Sequence, residues 1–74
     1  MEKEELILFF SEFWNMDKKD ISDNLKLDSE NLKNLSSIRF YQFIAAIESN
    51  FNVSVSNINN IITFQDLWKN IKDN

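Results

Sequence analysis

Two serines and an isoleucine, Ser36-Ser37-Ile38, stand at the head of an apolar stripe, and Ser37 is the residue best placed to carry chemistry. A serine in the first turn of a helix exposes its hydroxyl to an incoming enzyme. The helix N-terminus around it offers backbone N–H groups without intrahelical partners and the positive end of the helix dipole, and both suit an attached phosphodiester. Such a serine is not a nucleophile unaided, because it needs a positioned base and the chain has no histidine. Cysteine is absent too, which excludes disulfides and thiolate metal sites. Nothing in the sequence gathers a pair of carboxylates into a pocket, and no set of metal ligands has convincing spacing. The chain is therefore expected to hold no catalytic residue and no metal, and not to be an enzyme by itself.

The elements that must position Ser37 follow from apolar spacing. Leu6, Phe9, Phe10, Phe13 and Trp14 recur at three- and four-residue intervals, which predicts a helix from about Glu2 to Trp14. Glu2, Glu4 and Glu5 lie in its first turn, where the dipole favours negative charge. From Asn15 to Leu35 the pattern turns irregular. Asp, Asn and Ser punctuate it while Ile21, Leu25, Leu27, Leu32 and Leu35 act as apolar pins, so a long loop with one helical turn near Glu30–Lys33 is expected.

A second helix, from about Ser37 to Asn50, carries Phe40, Phe43, Ile44, Ile47 and Phe51 as its core stripe, with Ser36 as its N-cap. Asn52 stands just past its end, where asparagine tolerates the left-handed conformation. Val53-Ser54-Val55 reads as an extended connector, and Ser56 as the cap of a very short helix over Asn57–Ile61. Thr63 and Asp66 form a helix-start pair. It opens a last helix from about Phe64 to Lys72 that buries Phe64, Leu67, Trp68 and Ile71. Trp14 and Trp68 are expected to pack in or against the core. The sum is an all-α fold in one domain spanning residues 1–74, a small four-helix bundle of three long helices and one short.

The stretch from Leu35 to Val55 resembles the acyl and peptidyl carrier proteins of fatty-acid, polyketide and nonribosomal-peptide assembly. That family opens its second helix on Asp-Ser-Leu, here Ser36-Ser37-Ile38. About a dozen residues later it has an apolar-x-Glu-x-x-Phe-x-apolar run, matched by Ile47, Glu48, Phe51 and Val53. A Thr-apolar-x-x-Leu segment opens its last helix, matched by Thr63, Phe64 and Leu67, and Asp23-Asn24-Leu25-Lys26-Leu27 is similar to its acidic and leucine-containing loop. The order and spacing of these motifs cover nearly the whole chain.

The resemblance implies that Ser37, the serine directly before the apolar Ile38, is modified with 4′-phosphopantetheine. The thiol of that arm carries acyl or aminoacyl groups as thioesters. The implied partners are a phosphopantetheinyl transferase and the enzymes that load the arm or act on it downstream. Two departures from the family pattern stand out. Ser36 replaces an Asp that also serves transferase recognition and metal binding, and Arg39 and Gln42 stand where acidic residues are common. The first departure supports an alternative, an unmodified interaction module that keeps the carrier fold. A third reading is an unrelated three-helix docking domain.

Ile38, Tyr41 and Ala45 lie off the core stripe and, with Arg39 and Gln42, are expected to form a docking face beside Ser37. Glu48 is either a docking residue or a solvated charge. The net charge of −4 and the scattered distribution of eight basic residues argue against nucleic acid and anionic membranes as partners. The early apolar run Leu6–Phe10 is short for a signal core and follows an acidic start, so a monomeric cytoplasmic carrier is expected. Cargo is not legible, since one arm serves an acyl chain, an amino acid or a polyketide unit.

Overall fold

Three α-helices and two 3-10 turns make up residues 1–72, the part of the chain that the computed structural model describes. The helices are α1 (Lys3–Trp14), α2 (Ser37–Phe51) and α3 (Phe64–Lys72), and the architecture is all-α. The 3-10 turns are Lys18–Asp20 and Ile58–Asn60. The short helix expected over Asn57–Ile61 is thus a single 3-10 turn. No helix among the described residues is long and apolar enough to cross a membrane.

Each helix starts where a side chain satisfies its first orphan N–H groups. The Glu2 N–H donates to Glu5 Oε1 at 2.8 Å ahead of α1. The Arg39 N–H donates to Ser36 Oγ at 3.1 Å, so Ser36 caps α2 as expected. At α3 the pair is reciprocal: the Asp66 N–H donates to Thr63 Oγ1 at 3.2 Å, and the Thr63 N–H to Asp66 Oδ2 at 3.0 Å. The chain lacks glycine, and asparagine replaces it at every left-handed position: Asn15, Asn34, Asn52 and Asn57 have φ between 51° and 61°. Asn15 ends α1 and Asn52 ends α2 this way.

The inner stripes of the helices meet in one cluster containing Leu6, Phe10, Trp14, Phe43, Ile44, Ile47, Phe64, Leu67 and Ile71, with Ile21, Leu32 and Ile61 contributed by the connections. Phe43 is its hub. Its ring lies 5.0–6.3 Å from those of Phe9, Phe10, Phe13, Trp14 and Phe40, most of them tilted or edge-on. Phe10 carries the contact on to Phe64 at 5.3 Å. Phe40 and Phe51, expected in the buried stripe, are only half-buried against this cluster, as are Phe9, Phe13 and Trp68. They sit on the flanks of stripes whose centres the other residues occupy.

The long connection from Asn15 to Ser36 is stitched to the start of α3. Lys26 and Thr63 form an isolated antiparallel bridge, with the Leu27 N–H donating to the Ile62 carbonyl and the Phe64 N–H to the Leu25 carbonyl, both at 2.9 Å. Lys3 of α1 pairs with Asp23 of the loop at 2.7 Å, an exposed contact that contributes little. A turn at Asp28–Leu32, where the Leu32 N–H donates to the Asp28 carbonyl at 2.9 Å, supplies the expected helical turn and drops Leu32 into the core. The loop is thus an ordered strap, and it delivers Leu35 and Ser36 to the head of α2.

Candidate functional site

Ser37 is the first residue of α2 and is exposed. Among the described residues no hydrogen bond engages its hydroxyl, whereas the hydroxyl of Ser36 is committed to the cap. The two adjacent serines are therefore chemically unequal. Ser36 holds the helix start in place, and Ser37 presents an uncommitted Oγ at the positive end of a 15-residue helix.

Beside Ser37 lies an open groove of about 380 Å³. One wall is α2, through Ser36, Ser37, Phe40 and Tyr41; Leu27 and Leu35 of the strap and Ile58, Asn59 and Ile61 around the second 3-10 turn complete it. None of these residues is charged. The groove has apolar walls and a serine at its rim, and its three sides come from segments far apart in sequence. Residue spacing along one helix could not reveal it.

The residues expected to form a docking face divide into two sets. Ile38, Tyr41, Gln42 and Ala45 are exposed, with Ile38 at 72% and Tyr41 at 52%. They share one side of α2, as their spacing requires. Arg39 does not join them. Its guanidinium folds back over Phe13 and Trp14, at 4.7 and 5.2 Å from the ring centroids, and Nη2 donates to the Phe13 carbonyl at 3.1 Å.

The physical reason is local to α1. That helix has no basic residue in its last turn, and its final carbonyls lack intrahelical acceptors' partners. Arg39 supplies from α2 the positive charge that the C-terminal end of α1 lacks. The arrangement leaves Arg39 Nε and Trp14 Nε1 buried without hydrogen-bond partners, a cost set against stacking of the cation on two rings.

Glu48 is also turned to internal use. It is half-buried, and its Oε2 accepts from the Val55 N–H at 2.9 Å, which fixes the connector beyond α2. Neither Arg39 nor Glu48 shows this role in the sequence, because each partner lies outside the helix that carries it.

At the start of α3, Asp66 is the group whose acidity shifts. The backbone N–H of Thr63, then that of Ile62, hold its carboxyl below the usual aspartate value, with burial opposing and the Thr63 side chain and Lys69 adding to the effect. The group belongs to the helix cap and is not in the groove lining.

No protein-family model matches this chain, and no curated protein matches it.

Proposed function

We propose that this protein is a carrier that holds its cargo on a 4′-phosphopantetheine arm attached to Ser37. The observation that carries the reading is the exposed, uncommitted Ser37 hydroxyl at the head of α2, on the rim of an uncharged groove. The motif order that resembles the carrier family runs in the same sense. On this reading Ile58–Asn60 is the fourth and shortest member of a carrier-like bundle.

The site fits the group. An exposed Oγ can be reached from solvent, the N–H groups of the first turn suit a phosphodiester, and the groove offers uncharged walls beside it. In attachment, Ser37 Oγ forms a bond to phosphorus as the pyrophosphate link of coenzyme A breaks. 3′,5′-ADP leaves, and the hydroxyl proton passes to a base of the transferase, since this chain has no histidine to take it. When bound, the group supplies a thiol that carries acyl or aminoacyl units as thioesters. Ser36 then fixes the helix start, and with it the direction in which Ser37 points. Partners on this reading are the transferase and the enzymes that load and unload the arm.

One observation favours a second reading, an interaction module that is never modified: the residue before Ser37 is Ser36, where the carrier family has an aspartate. Incubation with a broad-specificity phosphopantetheinyl transferase and coenzyme A separates the two. The carrier gains the mass of one phosphopantetheine group, and an unchanged intact mass would favour the module.

A further inference from the structure

Helix α2 contains only two charged residues, Arg39 and Glu48, and both side chains are committed inside the molecule. The side that α2 shows to solvent is therefore made of Ser37, Ile38, Tyr41, Gln42, Ala45 and Ser49. That is unusual in a chain of net charge −4, whose α1 displays Glu4, Glu5 and Glu12. Ile38 is the most exposed of the large apolar side chains among the described residues, and Tyr41 belongs both to this face and to the groove. Face and groove thus form one continuous uncharged surface with Ser37 between them.

We infer that this surface docks an enzyme whose own contact patch is apolar and uncharged, and that this docking depends little on salt. The inference rests on the reading of Ser37 as the attachment residue. Whatever reaches Ser37 Oγ must cover Ile38, one residue on, and Tyr41, one turn on. A charged partner group set down there loses water and gains no counter-charge, which is unfavourable. An apolar patch pays no such cost and gains by covering Ile38 and Tyr41. A second copy of this chain suits the surface less well, because it brings a second net charge of −4 alongside the first.

The test is the rate at which a broad-specificity phosphopantetheinyl transferase modifies the protein with coenzyme A, measured as kcat/KM from about 0.05 to about 0.5 M salt. The rate for the parent should change by less than about twofold across that range. Ile38→Asp should lower it by about tenfold or more, through KM, with helicity unchanged. Glu12→Lys, on α1, should leave it unaltered. A parent rate that falls steeply with salt, or an Ile38→Asp rate equal to the parent's, would overturn the docking proposal while leaving Ser37 as the attachment residue. A parent that is never modified would remove both. Sedimentation of the parent as a dimer that Ile38→Asp dissociates would give the face to a second copy and would equally overturn the proposal.

Discussion

Helices α1 and α2 pack their inner faces into the same aromatic cluster, yet their outer faces differ in kind. The surface of α1 carries glutamates spaced among Leu8 and Ser11, the ordinary solution for a helix half in water. The surface of α2 carries no uncommitted charge. Its arginine is spent on the C-terminal end of α1 and its glutamate on the backbone of the following connector. The helix that bears the candidate serine thus gives up its charges to fix its neighbours and presents apolar and neutral side chains outward. A face kept free of charge next to a reachable hydroxyl suits contact with a partner; a face of glutamates suits solvent.

The most severe way to break the comparison is to remove what the two helices share. Phe43 is fully buried and touches aromatic rings of both α1 and α2. Phe43→Ala should cost about 3–5 kcal/mol, read as a lowered midpoint in urea or heat. For a domain this small that is a large part of the total stability. Phe51→Ala, at a half-buried flank, should cost clearly less. Equal losses at the two positions would mean that the hub is misplaced.

The next largest effect addresses how α2 hides its charge. Arg39→Gln removes the stacked cation and its bond to the Phe13 carbonyl, and should destabilise by about 1–3 kcal/mol. Glu12→Gln on the outer face of α1 should stay within about 0.5 kcal/mol of the parent. If Arg39→Gln melts with the parent, the guanidinium is in solvent and α2 is a charged face after all.

The sequence carried the helices well, because their evidence is local. Apolar spacing marked the inner stripes, and Ser36, Thr63 with Asp66, and Asn52 marked ends that the structure uses in those roles. Contacts between segments distant in sequence stayed hidden. Nothing in Lys26 or Thr63 announces a two-residue bridge, which is too short to show a period. Arg39 read as a surface charge, since its partner carbonyl and rings lie in another helix. Phe40 and Phe51 fit the apolar spacing of α2 as well as Phe43 does, and only the position of α1 decides which ring is central. The exposure of Ser37 was legible from its place in the first turn, whereas the groove beside it, built from three segments, was not.

Smaller effects sharpen the picture at the helix starts. Ser36→Ala removes the acceptor for the Arg39 N–H and should cost about 1 kcal/mol, with Ser36→Asp restoring the cap. A loss shared by both substitutions would contradict the capping role. The smallest effect lies at α3. Asp66 has a lowered pKa in the folded state, so its contribution is fully present above the ordinary aspartate value of about 3.9. It is lost as pH falls through the lowered value, when the carboxylate protonates and its bonds from the Thr63 and Ile62 N–H groups weaken. Asp66→Asn should therefore flatten that part of the acid limb of stability against pH, and an unchanged acid limb would mean that Asp66 is not among the groups that set it.

The central claim, that the two neighbouring serines have separate duties, is tested most directly by peptide mapping after treatment with the transferase and coenzyme A. The account predicts one phosphopantetheine group on the parent, located on Ser37. Ser37→Ala should carry none, and Ser36→Ala should still carry one while melting at a lower temperature. A group found on Ser36, or one that survives Ser37→Ala, would contradict it.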